Sequence, residues 1–198
     1  MVVQYQVQWA IIAITRTLFR HMKKALLLFT AVTLFSVSSI FAQNTVSRSA
    51  ITFKIKNLGV NTDGTIGGLQ ATIHFDPADI SKADIEASVD VATINTGNSL
   101  RDDHIKSDEF FDVAHFPKIS IKLVSVKHKS GNKYAGQFNL TIKNKTLPVE
   151  IPFICTQQGN RAEFTGTFTI NRRDYGLGEN SLTLSDNVII SIDAELKE

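Results

Sequence analysis

Residues 95–112, NTGNSLRDDHIKSDEFFD, bring together Arg101, His104 and the five carboxylates of Asp102, Asp103, Asp108, Glu109 and Asp112. Such a cluster invites three chemistries: metal ligation, proton transfer and nucleophilic attack. For a metal, His104 and Asp108 stand at i and i+4, one face of a helix, with His115 as a third donor. No second histidine follows at helical spacing and no H-E-x-x-H pattern is present, so no metal site is expected. For proton transfer, Asp102 and Asp103 are adjacent, and i, i+1 neighbours point apart on a helix, which leaves glycoside hydrolysis unsupported. For nucleophilic attack the chain has no G-x-S-x-G turn, and its single cysteine, Cys155, has no histidine beside it. Gly67-Gly68 lacks the G-x-x-x-x-G-K frame of a phosphate cradle and reads as a bend in a strand. These patterns point to no catalytic residue, no metal and no cofactor.

The same residues make sense as structure. The stretch from Ser99 to Lys106 predicts a short helix within a connection over residues 98–111, with Asn98 or Ser99 as its cap. Asp102 and Asp103 fall in its first turn, where carboxylates complement the helix dipole. Ser107, Asp108 and Glu109 form a second start signal, and Phe110, Phe111 and Phe116 are placed to plug whatever the connection closes.

What it closes is written in period-two alternation. In AEFTGTFTI, Ala162, Phe164, Gly166, Phe168 and Ile170 share one face, while Glu163, Thr165, Thr167 and Thr169 share the other. The pattern recurs from Ile51 to Ile55, Leu69 to Phe75, Ile85 to Val91, Ile119 to Leu123, Tyr134 to Ile142, Leu147 to Cys155 and Val188 to Leu196, giving eight strands. Turn signals lie at 61–64 (NTDG), 75–79 (FDPAD), 129–133 (KSGNK), 143–145 (KNK) and 157–160 (QQGN). Strands joined by such short turns are antiparallel neighbours, and eight of them with one wet face each close into a barrel that leaves no exposed edge. A barrel of this size either fills with side chains or holds one small ligand. The inward Ala71, Ala87, Ala162, Gly166 and Ala194 leave volume beside Phe and Ile, yet periodicity alone leaves both outcomes open. Cys155 continues the apolar face of its strand and reads as a buried, inert thiol.

The first 42 residues stand apart. From Met22 the chain reads MKKALLLFTAVTLFSVSSIFAQ: two lysines, an apolar stretch, then small residues ending at Ala42. This is the pattern of a secretory signal peptide cleaved near Ala42, with residues 1–21 an unused upstream extension and 43–198 the folded domain. A retained membrane anchor is the competing reading, since Ala25–Ala42 is at the borderline length. No cysteine stands near the cleavage point to take a lipoprotein's modification. Residues 1–42 hold four basic residues and no acid, so 17 basic and 19 acidic residues remain, a formal charge of −2 that argues against a nucleic-acid partner.

From Ser47 to the C-terminus the chain resembles, in order, the YceI-like family of polyisoprenoid-binding proteins. The matching stretches are ITFKIKNLG (51–59), IHFDPAD (73–79), INTGNSLRDDHIKSDEFFDVAHFPKI (94–119), GQFNLTIKNKTLPVEI (136–151) and INRRDYGLG (170–178). The most specific is R-D-x-H followed by S-x-x-F-F-D and F-P. The resemblance implies an eight-stranded antiparallel lipocalin-like barrel, exported to the periplasm or secreted, that holds an isoprenoid or similar amphiphile of the quinone or prenyl phosphate type. It implies an apolar cavity lined by Phe53, Ile55, Leu69, Ile73, Val89, Ile119, Leu140, Phe164, Gly166 and Phe168. Arg101, Asp103 and His104 would then stand at its polar mouth, with membrane contact for lipid exchange. The alternative is an enzyme acting on a bound lipid or quinone through Arg101 and His104. Arg48, Asn57 and Lys143-Asn144 depart from the family pattern, the first two where a change of head-group preference would arise.

Overall fold

The structure, a computed structural model, describes residues 45–197. The expected signal peptide at 22–42 and the extension at 1–21 lie outside the described residues. Eight strands follow in order: β1 (Thr45–Asn57), β2 (Val60–His74), β3 (Asp84–Asn95), β4 (Lys118–Ser130), β5 (Lys133–Ile142), β6 (Lys145–Gln158), β7 (Arg161–Asn171) and β8 (Leu184–Lys197). Each pairs antiparallel with the next, and β8 pairs with β1 to close the barrel. One helix, α1 (Ser99–Lys106), occupies the β3–β4 connection, as the sequence predicts.

Register carries the alternation around the wall. One row runs Ile66, Ile51, Ile192, Gly166, Phe153, and another runs Ala71, Ala87, Ile121, Leu140, Leu147. The paired Ala71 and Ala87 remove bulk from one side of the interior. Gly68, at φ 68°, sits where the β2–β3 register shifts, so the expected bend is a bulge that only glycine makes cheaply. The β6–β7 ladder covers only Phe153–Gln158 against Arg161–Gly166. Pro148 and Pro152 lie in the part of β6 that pairs with β5 alone, where the missing N–H groups are no loss.

One turn expectation needs correcting. Asn61–Gly64 is not a turn: these residues pair with Phe53–Lys56 inside the β1–β2 ladder, and the chain reverses at Leu58-Gly59, with φ of 53° and 78°. Both central residues are left-handed, the hairpin geometry that suits strand twist. In the β5–β6 turn Lys143 takes the left-handed conformation, at φ 54°. The other turns fall where the sequence puts them.

The connections sort onto two ends. Turns β2–β3, β4–β5 and β6–β7 share the end where the described chain starts and stops. There Phe75 stands edge-on to Tyr134, Phe153 and Phe164, with ring centroids 4.9, 5.6 and 5.8 Å away, and the rings fill the barrel. Cys155 is buried among them, and burial pushes its thiol up to about 11, as befits an inert core residue. The opposite end carries the β1–β2 turn, α1, Lys143-Asn144 and the β7–β8 connection.

Candidate functional site: an apolar cavity with a polar mouth

Between the aromatic end and α1 the interior is hollow. The cavity measures about 690 Å³, within the ~300–1,000 Å³ usual for small-molecule sites. All ten apolar positions named from the sequence line it: Phe53 and Ile55 on β1, Leu69 and Ile73 on β2, Val89 on β3, Ile119 on β4, Leu140 on β5, and Phe164, Gly166 and Phe168 on β7. Gly166 has a more particular reason than making room. A Cβ there would lie 2.9 Å from the Pro152 carbonyl oxygen, so the close approach of β6 excludes any side chain.

The mouth is built by α1. Asn98 caps the helix, its side chain accepting from the Arg101 amide at 3.1 Å. Thr96 ties the helix back to β3: its amide and hydroxyl donate to Asp102 at 2.9 and 2.6 Å, and its hydroxyl and carbonyl oxygens accept from the Arg101 guanidinium at 2.8 Å each. The Thr96 hydroxyl holds the Asp102 carboxyl below its ordinary range. Arg101, His104 and Ile105 form the cavity-facing side of α1. Asp103, about 100° per residue further round, is exposed on the other side and does not line the cavity.

Helix α1 stops at Lys106, so Asp108 never reaches the i+4 position beside His104. Instead His104 Nε2 meets Glu109 Oε2 at 2.9 Å, and its ring stands edge-on to Phe110. His115 pairs with Asp112 at 2.8 Å on the outside. Phe110 and Phe111 line the cavity, whereas Phe116 does not. Of the departures from the family pattern, Asn57 lines the mouth. Arg48 lies outside, paired with Glu163 and Asp193 at 2.9 and 3.3 Å.

The far lip of the mouth, residues 177–184, hangs on Arg172, which the sequence reading did not single out. This residue is 2% exposed. Its guanidinium donates to the carbonyls of Leu177 (2.7 Å), Glu179 (3.0 Å) and Ser185 (3.0 Å) and to Asp186 Oδ1 (2.9 Å). A charge this deep survives because nearly every N–H has a partner. The INRRDYGLG stretch contained the signal, but the partners are backbone atoms that no side-chain pattern reveals. Glu109, Glu179, Asn180 and Ser181 also face the mouth and were likewise missed.

Around this opening four large apolar side chains face water: Leu58, Val60, Leu100 and Leu182, the last fully exposed. The Leu58 amide donates to the Thr183 carbonyl at 2.8 Å, which brings the hairpin tip beside the 177–184 lip. Leucine in the left-handed conformation costs roughly 1–2 kcal/mol, and Leu58, at φ 53°, leaves three-quarters of its surface in water.

The YceI-like domain model matches residues 43–196. A UPF0312 protein of Vibrio cholerae is 30% identical over 172 residues, covering 79% of this chain and 89% of its own. A UPF0312 protein of Staphylococcus aureus is 31% identical over 159 residues, covering 76% and 90%. Among solved structures, Burkholderia cenocepacia BcnA superposes with a TM-score of 0.73 at 25% identity, over 77% of this chain and 98% of that one. A polyisoprenoid-binding domain from Saccharophagus degradans superposes with a TM-score of 0.63, over 78% and 97%; at 13% identity it is similar in fold alone.

Proposed function

The chain belongs to the YceI-like family, and on that premise we propose that it is an exported, non-enzymatic lipid-binding protein that holds the tail of an isoprenoid or similar amphiphile in its barrel. The observation that carries this reading is the cavity of about 690 Å³, apolar in its wall and bordered by polar residues of α1 and of the 177–184 lip. A tail entering it leaves water at roughly 25 cal/mol per Å² of apolar surface, before the costs of association. A polyisoprenoid-binding relative in fold supports the ligand class. Export rests on the leader pattern at 22–42, with the working chain starting near Gln43 in the periplasm or outside the cell. The water-facing leucines at the mouth support contact with a membrane while the lipid is exchanged.

Among the described residues, the side chains the enzyme would need are held by the fold. Arg101 is engaged by Thr96 and His104 by Glu109, and the only thiol lies at the closed end with its pKa raised. The test is transfer of a fluorescent prenyl lipid between two vesicle populations, with the lipid then recovered and weighed by mass spectrometry. Carriage is expected to speed transfer and return the lipid unchanged. A chemically altered lipid would establish the enzyme instead, and transfer no faster than without protein would remove the carrier.

A further inference from the structure

Resting on the carriage reading, the barrel wall itself shows where a ligand can pass. The β6–β7 ladder stops at the Phe153/Gly166 pair; beyond it, among the described residues, 145–152 pair with β5 alone and 167–171 with β8 alone. Strand parity explains the stop. Residues along an antiparallel strand bond alternately to its two neighbours, and the Cys155 amide donates to the Asn132 carbonyl, on the β5 side, at 3.0 Å. Odd-numbered residues of β6 therefore bond towards β5 and even-numbered ones towards β7. Pro148 and Pro152 are both even, so β6 has no N–H to offer β7 at either position. The β3–β4 ladder is short as well, covering 86–90 of β3, but there the α1 connection continues it, the Val91 amide donating to the Pro117 carbonyl at 2.9 Å.

What closes the seam is side-chain contact. Ile151, Phe168 and Ile170 are buried along it and line the cavity. On the outer face a groove of about 640 Å³, bordered by Glu150, Pro152 and Thr167, lies against the same place and shares Phe153, Thr165 and Gly166 with the cavity wall. We infer that the barrel parts along this β6–β7 seam to admit and release the apolar tail of its ligand. Parting a paired ladder would strand a donor and an acceptor at every second residue, whereas this seam gives up apolar contacts that the incoming tail replaces. The tail is then laid in from the side and need not thread past Arg101, His104 and Arg172.

The experiment closes the seam with a covalent bridge. Glu150 and Thr169 are exposed and, by continuation of the β6–β7 register, stand opposite each other across it. In Glu150→Cys/Thr169→Cys a short bifunctional methanethiosulfonate joins the two thiols and reductant removes it, while the native Cys155 is buried and out of reach. Lys54→Cys/Asp63→Cys, an exposed pair bridged in the same way across the intact β1–β2 ladder, is the control. Bridge formation is read from the protein mass, and transfer of a fluorescent prenyl alcohol between phosphatidylcholine vesicles is followed for each protein. The bridged seam is expected to slow transfer by at least about tenfold, with reductant restoring the parent rate and the control bridge leaving it unchanged. Equal transfer with the seam bridged and unbridged overturns the inference, as does equal slowing by the control bridge. If the parent transfers no lipid, the carriage reading falls and the inference falls with it, a result distinct from transfer that ignores the bridge.

Discussion

The two ends of the barrel are made from the same alternating strands and put them to opposite uses. At the closed end apolar side chains meet one another: Phe75 touches three rings, and Tyr134 and Phe153 stack at 5.5 Å. At the open end apolar side chains meet either empty volume or water, and hydrogen bonds from Thr96 and Arg172 hold the rim in shape. One end stabilises the fold, and the other presents a hole that a compact core would have filled. Mutations should therefore separate into those that damage stability and those that damage binding.

The largest effect belongs to the closed end. Phe164→Ala is expected to lower unfolding free energy by about 3–5 kcal/mol in denaturant titration; a loss below about 1 kcal/mol would mean that the rings do not pack as one unit. Next comes Arg172→Met, which strands four carbonyls and Asp186 and should destabilise by about 2–3 kcal/mol. Proteolysis should then cut first within 177–184, and cleavage elsewhere would detach that lip from Arg172.

A sharper contrast lies along the wall itself. Gly166→Leu should cost about 1–3 kcal/mol, because its side chain meets the β6 backbone. Ala87→Phe projects into the hollow and should change stability by less than about 1.5 kcal/mol while abolishing lipid uptake. Equal destabilisation by both would indicate a packed interior with no cavity. At the rim, Leu58→Ser/Leu182→Ser should shift stability by no more than about 0.5 kcal/mol, yet weaken vesicle association measured by co-sedimentation. Unaltered association would separate the exposed leucines from membrane contact.

The smallest effect is on pH. The folded carboxyl of Asp102 is held below its ordinary value by the Thr96 hydroxyl, so its contribution is complete above about pH 4. It is lost as the pH falls through the lowered folded value. Loop opening at 95–106, followed by proteolysis, should rise in that acid window in the parent and show no such step in Asp102→Asn.

Much of this was readable from the residues. Alternation gave eight strands because each strand has one wet face, and Asn98, Ser99 and the following acids gave α1 because caps act locally. The misreadings came where partners are remote in sequence. NTDG has turn composition, but the turn was taken by Leu58-Gly59, whose leucine serves no local purpose. Asp103 was grouped with its neighbours although helical geometry turns it away from the cavity. Asp108 was set beside His104 on a helix that ends two residues too soon, and Glu109 took its place. Arg172 escaped notice because its partners are carbonyls.

The most direct test of the central claim is native mass spectrometry of the protein purified from its own cells under conditions that retain bound lipid. The expected spectrum shows the apoprotein mass plus one apolar ligand per barrel, lost on collisional activation and absent from Ala87→Phe prepared alongside. A parent that carries nothing, and takes up no added prenyl lipid, would contradict it.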